Sequence, residues 1–207
     1  MDAQRDAVRS RLVIAAIECL EKEGMHGVRV RSIARQAGVN AAAINYYFGN
    51  KETLIGLALE QALQEAFINN SRQCFEQMGL APLPALRRYC LDTLEGGLRH
   101  PRLTKAFFSG SGINEAKQIS MTRRFQTLID YLQKHLHPVV AAKDHADLPL
   151  RLMQLLGVVI FAAIDGALVR ATTGIDLSND DQRQRYIDLL LARFFPSHNI
   201  GEKGESR

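Results

Sequence analysis

The amino-acid sequence predicts an all-α protein of about nine helices, and three observations lead to this prediction. Leu12, Ala15, Ala16, Cys19 and Leu20 recur at the spacing of one face of a helix. No stretch alternates apolar and polar residues over the length of a strand. The composition, 46% hydrophobic and 23% charged, is that of a globular chain that can bury a core.

The ends of the helices follow from residues that begin or terminate them. The first helix is expected to end near Gly24, and Asn50 offers an N-cap for a long helix over about 51–74. Between them lie two short helices. The two short helices are predicted over 30–36 and 41–48. Prolines, glycines and polar loops delimit the later helices, which are predicted over 85–98, 103–108, 114–140, 149–171 and 179–195.

These helices are expected to form a small N-terminal head and a larger C-terminal body. The head is a three-helix unit over residues 1–55, and the body covers residues 56–195. Residues 196–207 are polar with two glycines and are predicted to be a disordered tail. Because the boundary lies inside the long fourth helix, no flexible linker is expected.

The net charge of +4 is concentrated in one short segment. Residues 24–51 contain Arg29, Arg31, Arg35 and Lys51 and no acidic residue. Without these four, the remaining 22 Lys and Arg equal the 22 Asp and Glu of the chain. A local excess of this kind favours a phosphate backbone as partner, although a solvated basic face is the simpler alternative.

The same segment fits a helix-turn-helix. Ile33 and Ala37 fall on the inner face of its first helix, and Gly38 supplies a turn residue that tolerates a left-handed backbone. Val39 is expected to fill the gap between the helices, and Asn40 to cap the second one. Two packed helices that do not bind DNA remain the alternative.

The residues of this region resemble the TetR family of bacterial regulators. The resemblance covers residues 9–57, about the first quarter of the chain, and the rest shows only the helical layout of the family. It is carried by the segments 14–16 (IAA), 21–24 (EKEG), 33–40 (IARQAGVN) and 44–54 (INYYFGNKETL).

The resemblance implies a transcriptional regulator, with repression as the expected mode. In this family a homodimer places its two heads in successive major grooves of a near-palindromic operator, and a small lipophilic effector in the body releases the DNA. Asparagine suits adenine, alanine methyls suit thymine, and Tyr and Lys suit phosphate. On this basis Ala41, Ala43 and Asn45 would face base edges, and Tyr46, Tyr47 and Lys51 would hold phosphates. Arg29, Arg31 and Asn40 complete the set of predicted DNA-binding residues.

Two positions depart from the family pattern. Arg29 stands where the family usually has a Ser or Thr that caps the second helix, so that cap is expected to be absent. Arg29 either contacts phosphate or is simply exposed. Ala42 stands where the family commonly has Gly, which favours the helix but crowds the groove.

An effector site requires an apolar wall with a few polar groups. Seven residues are candidates to line such a site, and for the aromatic ones among them packing in the core is the alternative to ligand contact. Asp165, within an apolar run, either faces a ligand or forms a structural pair with an arginine or a backbone donor, and exposure is the third reading. A ligand at Asp165 would be cationic or a hydrogen-bond donor. The candidates for the site are Tyr89, Phe107, Phe108, Phe125, Tyr131, Phe161 and Asp165.

The last two helices carry more apolar residues than one small body needs, so they are predicted to form the homodimer as a four-helix bundle. The residues predicted for this interface are Leu152, Leu155, Leu156, Val159, Ile160, Ala163, Ile187, Leu190, Leu191 and Phe194.

Other classes of protein fit less well. The set His135, His137, Asp144, His145 and Asp147 invites a metal site, but residues two apart on a helix do not share a face. No catalytic or phosphate-loop motif is present, so we predict no enzyme activity, no cofactor and no metal. Neither a secretory signal nor a membrane span is predicted, which favours the cytoplasm. The open alternative is a DNA-binding regulator or activator without an effector, or an architectural DNA binder.

Overall fold

The protein is all-α, as predicted. The structure, a computed structural model, describes residues 2–108 and 115–196, with side chains for 4–108 and 122–196, and none of these residues lies in a strand. The described helices are α1 Asp2–Gly27, α2 Val30–Ala37, α3 Ala42–Phe48, α4 from Lys51 to Gln77, α5 Pro82–Arg99, α6 Pro101–Phe108, α7 Glu115–Leu136, α8 Leu148–Ile164, α9 Gly166–Thr173 and α10 Asp180–Phe194.

Helix α4 is not a regular α-helix over its full length. It is α-helical over Lys51–Leu63 and Asn70–Arg72, and it adopts the wider π-helical geometry over Gln64–Asn69 and Gln73–Gln77. π-Helical segments are rare and occur frequently at functional sites. The sequence predicts this helix over about 51–74 but gives no sign of its two π-helical segments.

The described chain has ten helices where nine were predicted, because the helix predicted over 149–171 breaks at Asp165. This residue leaves helical geometry, with φ −138° and ψ 65°, and α8 and α9 meet at a bend of 96°. The side chain of Asp165 accepts a hydrogen bond from the Leu168 amide at 3.0 Å and so caps α9. Gly166 allows the break, since a Cβ there would lie 3.0 Å from Cδ2 of Leu98.

The chain divides into two compact units. The first unit contains the chain through Ala66 together with the described residues of His100–Gln118, which are His100, α6 and the first residues of α7. In it α1 packs against α2, α4 and α6, and Leu12, Leu20 and Ile44 are fully buried in its core. The predicted head of 1–55 therefore lies within a compact unit that also holds the next turns of α4 and the short α6.

The second unit contains Phe67–Arg99 and the described chain from Ile119 in α7 onward. Its centre is α5, which packs most extensively on α8 and also on α10 and the end of α4. Arg87 on α5 donates from Nε and Nη2 to the two carboxylate oxygens of Asp188 on α10, with N–O distances of 2.6 and 3.0 Å. Of the predicted disordered tail, only Pro196 is among the described residues.

The residues predicted for the dimer interface belong mostly to the core of the second unit, and this part of the prediction is wrong at the level of residues. Leu152, Leu155 and Val159 are 0% exposed, and Ile187 and Leu191 are equally buried. The same holds for Leu156, Ile160 and Ala163, each at most 7% exposed, whereas Leu190 and Phe194 are half-buried. Their own unit already covers most of these side chains.

A different set of α8 residues is exposed. Leu150, Met153 and Phe161 are 59%, 52% and 53% exposed, and Gly157 between them is exposed as well. These positions follow one another by three or four residues and therefore share one side of the helix. We refer to Leu150, Met153, Gly157 and Phe161 as the α8 apolar face.

None of the helices among the described residues is by itself both long and apolar enough to cross a membrane. The bent pair α8 and α9 meets the length and composition of a span only when the two helices are taken together.

Candidate DNA-binding surface

The turn between α2 and α3 has the geometry predicted for a helix-turn-helix. Gly38 adopts φ 66° and ψ 38°, the left-handed conformation that glycine tolerates best. The Val39 amide donates to the Ala34 carbonyl at 3.0 Å, which closes the end of α2. The Asn40 side chain accepts from the Ala42 amide at 2.9 Å, so its predicted capping of α3 is confirmed.

The start of α2 is stabilised by a residue that the sequence analysis did not single out. Arg29 occupies the N-cap position and is exposed. Its backbone amide donates to the Ser32 hydroxyl oxygen at 3.3 Å, and that hydroxyl lies 3.1 Å from a carboxylate oxygen of Glu23. The side-chain cap expected to be missing at Arg29 is thus replaced by Ser32 from within the first turn.

Helix α3 separates its residues into an inner and an outer side. Ile44 and Phe48 are buried in the first unit, whereas Asn45 is exposed and Tyr46 is 71% exposed. Tyr47 is half-buried, and its ring meets that of Tyr46 edge to face at 4.9 Å. Of the residues predicted for DNA contact on and beside α3, Asn40, Asn45 and Tyr46 are exposed.

The alanines of α3 differ in exposure from what the family resemblance implied. Ala41 and Ala43 are half-buried, and Ala42 between them is exposed. Arg31 and Arg35 on α2 are exposed as well. Helix α3 thus presents a methyl group at Ala42, the position at which the family commonly has glycine.

Lys51, predicted to hold a phosphate, also has a partner within the protein. Its Nζ donates to the Val28 carbonyl at 3.3 Å and lies 4.0 Å from the Glu52 carboxylate. The adjacent Asn50 caps α4, accepting from the Thr53 amide at 2.7 Å, as predicted. Lys51 therefore ties the start of α4 to Val28, two residues before α2, and its ammonium keeps donors for a further partner.

Two arginines at the start of α1 lie beside α3 and were not predicted as part of the site. The guanidinium carbon of Arg5 is 6.0 Å from the centre of the Tyr46 ring, and that of Arg9 is 5.6 Å from the centre of the Phe48 ring. These distances suit cation–π contacts. Both arginines are exposed. Their spacing of four residues puts them on one face of α1, but only the fold brings that face to α3.

The residues predicted for the effector site are spread over both units. Phe107 is buried and Phe108 is 36% exposed, and both belong to the first unit. In the second unit Phe125 packs against Phe67 with ring centres 5.6 Å apart. The hydroxyl of Tyr131 donates to a carboxylate oxygen of Glu76 at 3.0 Å.

The other three candidates have different surroundings. Tyr89 is fully buried in the second unit, and its hydroxyl has no hydrogen-bond partner. Phe161 lies on the α8 apolar face rather than in the interior. Asp165 is exposed and holds the backbone donor of Leu168, which is the structural pairing that the sequence analysis left open.

The histidine-rich loop shows no arrangement of three metal-ligating side chains, nor does any other part of the described chain. The rings of His137 and His145 stack with centres 3.6 Å apart, and Nε2 of His145 lies 2.8 Å from the Val140 carbonyl. Asp144 pairs with Arg151 at 2.6 Å. These groups therefore have partners within the loop and at the start of α8.

Comparisons with known proteins agree with this geometry. Residues 12–57 match the family described as bacterial regulatory proteins, tetR family. Over 194 residues, 91% of this chain and 95% of the relative, the sequence is 23% identical to the HTH-type transcriptional regulator BetI of Burkholderia thailandensis. It is 32% identical to the HTH-type transcriptional regulator RutR of Escherichia coli over 103 residues, 49% of this chain and 46% of that one.

A solved structure extends the likeness to the fold of nearly the whole chain. A transcriptional regulator from Rhodococcus superposes with a TM-score of 0.75 at 20% identity, covering 94% of this chain and 99% of that one. The relatives are named as transcriptional regulators rather than as enzymes. The matched segment includes the whole helix-turn-helix, and the solved structure shares the fold beyond it; together these likenesses support a DNA-binding transcriptional regulator of the TetR type.

Proposed function

We propose that this protein is a cytoplasmic repressor that binds a near-palindromic operator as a homodimer and leaves it when a small lipophilic effector binds the second unit. The observation that carries the proposal is the α8 apolar face, which gives the chain a surface for a second copy. Two recognition helices then become available to one stretch of DNA.

On the DNA side, α3 is the recognition helix. Asn45 has the donor and acceptor pair that matches the major-groove edge of adenine, and the methyl groups of the α3 alanines suit thymine. Tyr46 and Tyr47 offer hydroxyl groups to phosphates, and Lys51 and Arg31 offer positive charge. Contacts to phosphate fix the position of α3 on the duplex, and contacts to bases set the sequence preference.

Arg5 and Arg9 extend this surface along α1. The Tyr46 ring holds the Arg5 side chain near the exposed side of α3. Because this side chain is already partly ordered, it loses less conformational entropy on binding a phosphate than an unrestrained arginine would. We therefore add both arginines to the DNA-binding residues, as contacts that supply affinity without sequence preference.

The homodimer forms through the α8 apolar face, together with exposed parts of α9 and α10. Leu168 on α9 and Leu189 on α10 are 44% and 55% exposed, in addition to the α8 residues. Large side chains of this kind are rarely left in water when they are contiguous. Gly157 has no atom within 4 Å of the position of a Cβ, which leaves room for close approach of a second helix.

A two-fold arrangement buries the same face on both copies and places two recognition helices about one DNA turn, roughly 34 Å, apart. The effector acts in the second unit, where the fully buried Tyr89 carries an unpartnered hydroxyl. A regulator or activator without an effector is the alternative, and it differs in that no small molecule would change its affinity for DNA.

The test uses a substitution on the exposed face and a matched one elsewhere on the surface of the same unit. Met153→Glu places a charge in the proposed interface, whereas Gln126→Glu places one on an exposed position of α7. In sedimentation velocity at micromolar concentration, we expect dimers of the wild type and of Gln126→Glu and monomers of Met153→Glu, with operator affinity lost only in the last. A monomeric wild type would refute the proposed dimer.

A further inference from the structure

Two hydroxyl groups inside the second unit lack hydrogen-bond partners. Tyr89 is 0% exposed and Thr93, one turn later on α5, is 9% exposed, and neither Oη of Tyr89 nor Oγ1 of Thr93 has a partner. Burial raises the pKa of Tyr89 well above its usual value, and the nearby Thr93 hydroxyl opposes that rise without meeting Tyr89 in hydrogen-bonding geometry. Buried polar groups are nearly always paired, so this pair needs an explanation.

The titratable groups that act on the Tyr89 hydroxyl are the thiols of Cys90 and Cys74. Burial raises the pKa of the Cys90 thiol to about 12 and that of Cys74 to about 11, so both stay protonated at neutral pH. The carboxylate of Asp92 is held by Arg88, with N–O distances of 2.6 and 3.0 Å. A charged ligand group placed at the two hydroxyls would therefore be buried without a counter-charge, which is costly.

We propose that the hydroxyls of Tyr89 and Thr93 form the polar end of the effector site and donate hydrogen bonds to an uncharged oxygen, such as the carbonyl or hydroxyl oxygen of a lipophilic molecule. This inference rests on the proposed effector-dependent function and narrows the effector to neutral compounds. The polar groups of the site are then these two hydroxyls and not Asp165, whose carboxylate would have favoured a cationic effector.

The position of the pair also links it to α4. Cys74 lies in the second π-helical segment, and its Sγ is 3.7 Å from a carboxylate oxygen of Asp92 on α5 and 3.7 Å from the Asn70 side chain. The polar end of the site thus adjoins the part of α4 whose hydrogen-bond register departs from an α-helix.

The first test needs no ligand. If the Tyr89 hydroxyl has no partner in the free protein, then Tyr89→Phe removes an unsatisfied group and raises Tm, by roughly 2–4 °C for a chain of this size. Tyr131→Phe is the matched control, because the Tyr131 hydroxyl is bonded to Glu76 and its removal should lower Tm or leave it unchanged. A fall in the Tm of Tyr89→Phe would show a satisfied, structural hydroxyl and would overturn the proposal.

The second test uses probes of equal chain length: 1-octanol, octanoate and octylammonium, each added to the full-length protein. We expect 1-octanol to raise the Tm of the wild type more than either ion does, and to lose this advantage in the double variant Tyr89→Phe with Thr93→Val. An equal response of the double variant, a stronger response to an ion, or no response to 1-octanol would each overturn the proposal.

Operator release measured in parallel separates this inference from the proposed function. Release by octanoate or octylammonium, unchanged in the double variant, would support effector control and refute the neutral hydroxyl site.

Discussion

The two units differ in whether their polar groups have hydrogen-bond partners and their apolar side chains are covered. In the helix-turn-helix, polar groups have hydrogen-bond partners close by in the sequence: Asn40 caps α3, Asn50 caps α4, and the Ser32 hydroxyl accepts from the Arg29 amide at the start of α2. In the second unit the opposite is true at two places. An apolar face on α8 is exposed to solvent, and two hydroxyls of α5 are buried without partners.

This difference indicates what each unit requires. The helix-turn-helix is complete as a folded structure and presents its outward side chains, such as Asn45 and Tyr46, for DNA. The second unit leaves an apolar surface and a polar pair open, which are the features expected of a protein that binds a second copy and a small molecule. The predictions below test this contrast, from the largest expected effect to the smallest.

The largest effect is expected within α8, between its buried and exposed sides. Leu156 is 1% exposed, so Leu156→Ala should lower the free energy of unfolding by about 2–5 kcal/mol through the cavity it leaves. Met153→Ala, at a position 52% exposed, should instead weaken dimerisation and leave the folded monomer nearly unchanged. Urea unfolding at several protein concentrations distinguishes the two, and equal losses from both variants would contradict the assignment of the two sides.

The turn of the helix-turn-helix should be the next most sensitive position. Gly38→Val forces a β-branched residue into the left-handed conformation at φ 66°, which should cost about 1–3 kcal/mol and abolish operator binding. Gly96→Ala is the control, since that glycine has an ordinary φ and no atom near the position of a Cβ. It should stabilise the helix by about 0.5–1 kcal/mol, and a comparable loss there would argue against a conformational cause at Gly38.

Asn45 should matter for recognition and not for folding. Its side chain is exposed, so Asn45→Ala should leave Tm unchanged. Binding to the native operator should weaken by about 1–3 kcal/mol, with little change on random DNA. Fluorescence anisotropy with both DNAs measures the difference. Equal losses on the two would show that Asn45 positions the helix without reading bases.

The smallest effects are expected from the phosphate contacts. Arg5→Ala should reduce the slope of log affinity against log salt by about 0.9 on any DNA sequence, without a change in Tm. Lys51→Ala should reduce the slope similarly but also lower Tm, because Lys51 bonds the Val28 carbonyl. Arg193→Ala, an exposed arginine of the second unit, serves as control. An unchanged slope for Arg5→Ala would remove α1 from the DNA-binding surface.

The sequence predicted best those features that depend on neighbouring residues. The turn at Gly38 and the caps at Asn40 and Asn50 follow from local chemistry, and all three are present. The two sides of α8 could not be assigned, since a helix that is apolar nearly all round has no periodicity to separate its core side from its exposed side. Leu156 and Met153 look equivalent in the sequence, and only their packing distinguishes them.

Other features depend on contacts between distant residues. The close approach of Leu98 to Gly166, beside the break at Asp165, joins residues far apart in the sequence, and the fold alone brings Arg5 and Arg9 near the rings of Tyr46 and Phe48. The unpartnered hydroxyl of Tyr89 likewise depends on what surrounds it in the fold. Tyr89 could be suggested as a candidate from its residue type, but Thr93 could not.

The central claim is that two recognition helices act together on one operator, joined through the α8 apolar face. The most direct test is selection of bound sequences from random DNA with the wild-type protein, followed by measurement of the number of chains on the selected duplex. The account predicts an inverted repeat with half-sites centred about one DNA turn apart, bound by two chains. A single unrepeated site bound by one chain, or no sequence preference, would contradict it.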